Sequence, residues 1–246
     1  MEILTIKIAA MVFLLLAVTA LEAAGAEGSS GVPMQVIDAG EIVAKVKAGQ
    51  PVEYDHIVVR GDLDLSRERL PKNITSLIRI NDSVFEGLVN VNSSILEMPV
   101  ELSGSNFTRN GYFGGANFSG NANFGGANFS GNADFGGANF NGNADFKGAN
   151  FGGYADFKGA NFSGYASFWE VNFGGNANFG EANLGDYAYF REAYFGGYAY
   201  FGEANFGDYA DFWGANFGGG ANFGEANFGG GADFSVGYFG GGADFG

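Results

Sequence analysis

A large apolar residue recurs along the second half of the chain at intervals that alternate between five and six residues. These anchor positions run from Phe113 to Phe245, and Leu184 is the only anchor among them that is not phenylalanine. A small residue, usually alanine, stands two positions before each anchor, as Ala127 does before Phe129. A short period of this kind predicts a solenoid, in which each repeat contacts only its neighbours.

The same spacing continues upstream, where the composition is more ordinary. The earlier anchors are Ile80, Phe85, Val91, Leu96, Leu102 and Phe107. The chain contains 44 glycines, so a disordered segment rich in Phe and Gly is the competing interpretation. A strict period, the pairing of each anchor with a small residue, and the continuation to residue 80 favour the solenoid.

The repeated segments resemble the pentapeptide-repeat family, whose unit is A-(D/N)-(L/F)-x-x. Residues 127–131 and 138–142 match that unit, whereas every second unit here carries one inserted residue, such as Asn132 before Ala133. The resemblance implies an all-β fold, a right-handed quadrilateral β-helix with four short faces per coil. It also implies that the anchor and the preceding small residue point inward, and that the other positions point outward.

The alternating units predict a coil of 5+6+5+6, or 22 residues. An 11-residue coil is the alternative, but it would have to enclose two Phe and two Ala in a very small loop. It would also stack Glu170, Glu181, Glu192 and Glu203 directly, roughly 4.8 Å apart. The longer coil avoids both problems, and we expect it.

The N-terminal third divides into three predicted segments before the solenoid at residues 80–246. Residues 1–26 have the features of a signal peptide, with an apolar run at 8–21 and a small-x-small site ending at Ala26. An uncleaved membrane anchor beginning near Ile3 is the alternative. Residues 27–66 are predicted to hold a linker, a capping helix at 38–49 with Asp38 and Glu41 at capping-box spacing, and the first strand. Residues 67–79 are predicted to be a loop.

Charge and composition limit the functions and binding sites that the chain can have. The net charge of −15 argues against nucleic-acid binding, and the lack of cysteine excludes disulfides and cysteine metal sites. His56, the only histidine, lies beside Asp55 and is expected to be a surface residue rather than a general base. Nucleotide-binding, zinc and hydrolase motifs are missing from the sequence. We therefore expect neither enzymatic activity nor a cofactor.

Two sets of outward polar residues suggest ligands or modifications. A 22-residue coil would place Glu181, Glu203 and Glu225 in one column and Asp186 and Asp208 in another, where they are either solvated or share calcium. Sequons for N-glycosylation begin at Asn73, Asn81, Asn92, Asn106, Asn117, Asn128 and Asn161. A repeat with the sequence A-N-F-S creates a sequon by itself, so these motifs carry little information.

The most distinctive outward positions are aromatic. Both tryptophans fall in one predicted column, interleaved with Lys147 and Arg191. The predicted partner-binding residues on this face are Tyr165, Trp169, Tyr187, Tyr189, Arg191, Tyr209 and Trp213. Such a set suits a protein or glycan partner, although a ladder of rings packed on each other would give the same pattern.

Two functions follow as alternatives. The first is a secreted or cell-envelope solenoid, without enzymatic activity, that presents flat faces to a protein or glycan. The second is implied by the resemblance, because some pentapeptide-repeat proteins mimic duplex DNA and act on type II topoisomerases. We also expect a homodimer through the C-terminal coil, where Phe234, Phe239 and Phe245 would otherwise lie beside an exposed strand edge.

Overall fold

A computed structural model describes residues 33–66, 69–70 and 73–246. The chain divides into two units, Met1–Gln35 and Val36–Gly246, and the fold described here is that of the second unit. The predicted signal peptide at 1–26 lies outside the described residues.

The second unit is a parallel β-solenoid of about nine turns, with about 22 residues per coil. Its strands are two to four residues long and pair with the equivalent strands of the next coil, as Val100 does with Ala122. The predicted solenoid and its coil length are therefore confirmed, and the 11-residue alternative is wrong.

Each coil contributes a strand to as many as four faces, which are numbered here in chain order. The strands of the first face are Val52–Asp55, Ile78–Asn81, Val100–Glu101, Ala122–Asn123, Ala144–Asp145, Ala166–Ser167, Tyr187–Tyr189, Tyr209–Asp211 and Gly231–Asp233. Those of the second face are Gln35–Asp38, Ile57–Arg60, Val84–Phe85, Asn106–Phe107, Asn128–Phe129, Asn150–Phe151, Asn172–Phe173, Tyr194–Phe195, Asn216–Phe217 and Tyr238–Phe239.

The other two faces complete the coil. The strands of the third face are Leu63–Asp64, Val89–Asn90, Gly111–Tyr112, Ala133–Asp134, Ala155–Asp156, Ala177–Asn178, Ala199–Tyr200, Ala221–Asn222 and Ala243–Asp244. Those of the fourth face are Asn73–Ile74, Ile95–Leu96, Asn117–Phe118, Asn139–Phe140, Asn161–Phe162, Asn205–Phe206 and Asn227–Phe228. The fourth face divides into sheets of five and two strands, which meet at Asn183 through isolated bridges to Asn161 and Asn205.

The core consists of columns of stacked phenylalanine rings. Phe157 is 0% exposed, and its ring lies nearly parallel to those of Phe135 and Phe179 at centroid distances of 4.9 and 4.8 Å. It meets Phe146 and Phe168 edge to face at 5.3 and 5.2 Å. Phe157 thus takes part in ring contacts both along the solenoid and across it, and the paired alanines fill the space that remains.

The five- and six-residue units differ at the corners that they form. In the five-residue unit that begins at Phe124, the Phe124 carbonyl accepts a hydrogen bond from the Ala127 N–H at 3.0 Å, and Gly126 has φ +67°. That geometry is a type II turn, which requires a left-handed residue at its third position. In a six-residue unit the extra residue joins successive coils, because Asn132 Oδ1 accepts the N–H of Tyr154 at 3.0 Å.

The capping helix spans Ala39–Lys47 and buries Ile42 and Val46. Asp38 Oδ1 accepts the N–H of Gly40 at 2.8 Å, so Asp38 is the N-cap as predicted. The reciprocal half of the predicted capping box is replaced by another contact, because Glu41 Oε1 accepts from the Tyr54 hydroxyl at 2.9 Å. In the part of the chain that the structure describes, no helix is long and apolar enough to cross a membrane.

The predicted start of the solenoid at residue 80 is one coil too late. Val52–Asp55, Ile57–Arg60, Leu63–Asp64 and Asn73–Ile74 already form one strand on each face. Residues 67–79, predicted to be a loop, therefore contain a strand of the fourth face and the beginning of Ile78–Asn81. The register was hidden because Tyr54 pairs with Ile80, a separation of 26 residues instead of 22.

Candidate interaction face

The seven predicted partner-binding residues come together on the first face and at its two corners. The strand pairs place Tyr189 beside both Ser167 and Asp211, and they place Tyr187 beside Tyr209. Three successive coils supply the set, which we call the aromatic face: Tyr165, Trp169, Tyr187, Tyr189, Arg191, Tyr209 and Trp213. The backbone ladder fixes the order of these side chains along the solenoid.

Both tryptophans lie against a cation from the preceding coil. Lys147 Nζ is 4.2 Å from the centroid of the Trp169 ring, and Arg191 Cζ is 4.1 Å from that of Trp213. These distances fall within the range of cation–π attraction, which contributes about 0.5–1 kcal/mol at exposed sites. The column is therefore a structural ladder, whatever else it does.

The tyrosines form a looser cluster at the corner where each coil enters the first face. The Tyr165 and Tyr187 rings are 5.6 Å apart at 53°, and Tyr189 lies 6.4 Å from Tyr165 and 6.5 Å from Tyr187. Tyr165 is 51% exposed and Tyr187 is 39% exposed, whereas Tyr189 is half-buried. Burial raises the pKa of the Tyr189 hydroxyl, and its tyrosine neighbours and Asp211 raise it further. This phenol is therefore neutral and able to donate a hydrogen bond at physiological pH.

Asp211 is a buried charge beneath this cluster that sequence reasoning did not single out. It is 7% exposed, and its Oδ1 accepts the backbone N–H of Trp213 at 2.9 Å. Its Oδ2 lies 3.8 Å from Nη1 of Arg191. The carboxylate thus holds both the Trp213 backbone and the guanidinium that covers the Trp213 ring.

A hollow of about 190 Å³ opens beside the tyrosines, at the corner between the fourth and first faces. Its walls are Asn143, Ser163, Gly164, Tyr165, Asp186 and Tyr187. Sequence reasoning placed the two tyrosines on a binding face but did not connect them with Ser163 and Asp186. The available signal was the corner column in which Gly142 and Gly164 are followed by Asp186.

The predicted column of Glu181, Glu203 and Glu225 has a conformational role. Glu181, Glu203 and Glu225 occupy left-handed turn positions with φ of 58°, 60° and 58°, where other coils use glycine. Glu181 Oε1 also lies 3.0 Å from Lys158 Nζ. Among the described residues, the only group of three closely spaced potential metal ligands is Asp55, His56 and Asp82, and all three are exposed. The glutamate column therefore does not gather its carboxylates as a calcium site would.

Several sequon asparagines belong to amide ladders. Asn128 Nδ2 donates to Asn106 Oδ1 at 2.9 Å, and Asn183 Nδ2 donates to Asn161 Oδ1 at 2.8 Å. His56 is an exposed residue whose Nδ1 lies 3.1 Å from Asp55 Oδ2, as its sequence context predicted. These side chains have structural partners, which accounts for their presence without a further function.

Comparison with known proteins agrees with the geometry. A family model described as Pentapeptide repeats (9 copies) matches residues 92–138, 124–172, 135–183, 168–216 and 179–227. No curated protein matches the chain significantly. A crystal structure of HetL, a pentapeptide repeat protein involved in heterocyst differentiation regulation from the cyanobacterium Nostoc sp. strain PCC 7120, is similar at 19% identity and a TM-score of 0.25. That alignment covers 82% of this chain and 94% of HetL.

The family matches together extend over residues 92–227, which is more than half of the 246 residues. They include all seven residues of the aromatic face and every wall of the hollow. The chain belongs to the pentapeptide-repeat family.

Proposed function

We propose that this protein is an exported binding solenoid, without enzymatic activity, whose aromatic face holds a protein or glycan partner. The observation that carries the proposal is the convergence of six exposed or half-buried rings of Tyr and Trp types with Arg191 on three successive coils. Tyr, Trp and Arg are the residue types that dominate binding hot spots. Pentapeptide-repeat proteins are generally structural or regulatory, which agrees with a binding role.

The solenoid suits this role because its backbone is already ordered. The inner strands of the first face are held by the coils on both sides, as Tyr187–Tyr189 is held between Ala166–Ser167 and Tyr209–Asp211. Side chains on such a scaffold lose little conformational entropy when a partner binds. A flat row of rings flanked by hydroxyls can contact either the apolar patch of a protein or the ring of a sugar.

Export is supported by the sequence of residues 1–26, with its apolar run and the small residues Ala24 and Ala26. The solenoid itself is compatible with an extracytoplasmic location, because it contains no cysteine that needs a controlled redox state. We therefore propose that the partner lies in the cell envelope or outside the cell.

The test is a double variant, Trp169→Ala/Trp213→Ala, with Tyr198→Ala/Tyr200→Ala as the control. The control rings lie at the third face and its corner and are 44% and 36% exposed, close to the 38% of Trp169. Each protein is immobilised and exposed to envelope proteins and to purified envelope polysaccharides, and its thermal stability is measured in parallel. We expect the tryptophan variant to lose retention of its partner, and the control to keep it.

The ladder explanation makes the opposite prediction. If the tryptophans only pack against Lys147 and Arg191, the double variant melts at a lower temperature and retains every partner of the unaltered protein. That outcome would remove the binding role. Lys147→Met provides a further separation, because it removes the cation–π contact at Trp169 and leaves both rings and Arg191 in place.

The acidity of the chain favours a second candidate function, mimicry of duplex DNA toward a type II topoisomerase. The net charge of −15 on a narrow solenoid is the observation that supports it. Titration of the purified protein into a supercoiling assay tests this candidate. Inhibition that weakens as salt is raised would support mimicry, whereas unchanged supercoiling at excess protein would remove it.

A further inference from the structure

The hollow beside Tyr165 and Tyr187 coincides with a departure from the repeat. Leu184 is the only non-phenylalanine anchor after Phe107, and the sheet of the fourth face divides at its neighbour Asn183. Gly185 follows in the left-handed region, with φ +62°, and a Cβ there would lie 2.5 Å from the Phe162 carbonyl oxygen. Only glycine fits that position, so the chain bends at this corner and leaves the regular ladder.

The bend changes the hydrogen-bond acceptor of the backbone N–H at this position of the coil. In the regular coil below, the N–H of Ser163 donates to the Phe140 carbonyl at 2.8 Å. The equivalent N–H of Gly185 instead has a long contact of 3.4 Å with Asn183 Oδ1. At the coil that borders the hollow, a hydrogen bond between coils is therefore replaced by a weaker contact within one coil. Such a local loss of stability is typical of functional sites.

The walls of the hollow come from three successive coils and combine rings with hydrogen-bonding groups. Asn143 Oδ1 accepts the N–H of Tyr165 at 3.2 Å, which fixes the amide and leaves its NH₂ group as the donor that it can offer to a ligand. Ser163 contributes a hydroxyl and Asp186 a carboxylate, both on exposed residues. The two tyrosine rings, 5.6 Å apart, supply apolar surfaces on the same side.

We propose that this hollow is a subsite for one uncharged pyranose ring of a glycan. A pyranose presents an apolar patch of C–H groups and a rim of hydroxyls, which match the tyrosine rings and the polar walls respectively. A carboxylate accepts hydrogen bonds from two neighbouring hydroxyls, and a charged acceptor makes the stronger kind of hydrogen bond. The inference rests on the proposed function and names the partner class for one part of the aromatic face.

Size and charge restrict the ligand further. The walls of the hollow are six residues at one corner, a span that suits a single sugar ring better than an extended chain. The residues that line the hollow include one carboxylate, Asp186, and no cationic side chain. An acidic sugar or a phosphate would therefore be repelled, both by Asp186 and by a chain whose net charge is −15.

The repeat supplies matched controls for the test. Asp208 occupies the position of Asp186 one coil later, and it lies outside the hollow. Tyr198 is an exposed tyrosine, 44% accessible, at the corner between the second and third faces. The test variants are Asp186→Asn and Tyr165→Ala, and the control variants are Asp208→Asn and Tyr198→Ala.

The probes are methyl glycosides of glucose, galactose, mannose and N-acetylglucosamine, with a methyl glucuronide as the acidic comparison. Binding to the full chain is measured by titration calorimetry and by changes in tyrosine NMR signals, and far-ultraviolet circular dichroism checks the fold. We expect at least one uncharged glycoside to bind in a saturable way. Its affinity should fall about tenfold or more in Asp186→Asn and in Tyr165→Ala, and it should be unchanged in both controls.

Three results would overturn the subsite. They are saturable binding by none of the uncharged glycosides, binding that survives in both test variants, and a preference for the glucuronide. The proposed function fails separately. The unaltered protein could bind no glycoside while its Trp169→Ala/Trp213→Ala variant loses a protein partner. That result would contradict the sugar subsite and support the aromatic face as a binding surface. A folded protein that retains no partner and binds no glycoside would remove both.

Discussion

Truncation of one central anchor, Phe157→Ala, tests the physical basis of the whole solenoid. Phe157 is fully buried, stacks on Phe135 and Phe179 at 4.9 and 4.8 Å, and meets four more phenylalanine rings within 6.4 Å. Removal of a buried phenylalanine ring costs about 3–5 kcal/mol, from lost burial and from the cavity that remains. The stacked pairs each add about 0.5–1.5 kcal/mol beyond burial, so we expect a cost in the upper part of that range.

The structure also predicts how the loss of stability depends on the side chain that replaces Phe157. Leu184 occupies the equivalent place in another column and is 0% exposed, so a leucine can fill an anchor position. Phe157→Leu should therefore cost roughly half as much as Phe157→Ala, because it keeps most of the volume and loses the ring contacts. The pair of variants separates the cavity from the stacking.

Urea unfolding, followed by circular dichroism and by tryptophan fluorescence, measures both costs. Trp169 and Trp213 lie on coils that follow Phe157, so the fluorescence reports whether the defect spreads to neighbouring repeats. A free energy of unfolding for Phe157→Ala within about 1 kcal/mol of the unaltered protein would refute the stacked core, since even an ordinary buried truncation costs more.

Other parts of the chain give predictions of different kinds. Burial raises the pKa of Asp156 and nearby Asp134 raises it further, so the folded state binds this proton more tightly than the unfolded chain. The carboxylate therefore destabilises the fold above that pKa. Asp156→Asn should melt at a higher temperature at neutral pH, with a gain that shrinks as the pH falls through the pKa; a constant gain would contradict this. Glu203→Gly should stabilise the turn at φ +60° by about 0.5–1 kcal/mol in urea unfolding, whereas Glu203→Ala should give no gain. Mass spectrometry of the exported protein should find a mature N-terminus at residue 27, and an intact N-terminus in that fraction would contradict removal of residues 1–26.

The repeat made most of the fold predictable from the sequence. The period that marks the inward positions also gives the number of residues per coil. The N-cap at Asp38 was predictable from its spacing to an apolar stripe. Only one strand of the first coil was predicted, because the longer connection after Leu65 shifts the register, and a shift has no signature when each position is also ordinary in composition. The left-handed glutamates were equally hidden, since a sequence shows Glu181 in place of glycine but gives no backbone angle.

The aromatic face was predictable as a set, and the hollow was not, for a physical reason. Residues that recur every coil are neighbours by construction, so the column of Trp169 and Trp213 follows from counting. The hollow depends on a local bend at Gly185 that no period describes. Asn143 and Tyr165 are one coil apart, whereas Asp186 lies 21 residues after Tyr165, in the neighbouring column, and the hollow joins the two columns.

In a solenoid, the departures from the repeat are the most informative positions. Each coil contacts only its neighbours, so a change in one outward position has little effect beyond the adjacent coils. Columns of Asn, Asp and Gly satisfy the structural needs of most corners here, as Asn110 does when its Oδ1 accepts the N–H of Asn132. Three features instead change within the same few coils: Asn gives way to Tyr at 165, Gly gives way to Asp at 186, and the sheet breaks at Asn183. Stacking of the core would be served better by a regular phenylalanine at Leu184, since that is the residue in every neighbouring anchor. The coincidence of a structural cost with a polar and aromatic hollow therefore indicates a site that the repeat accommodates, and it directs experiments to this corner before any other.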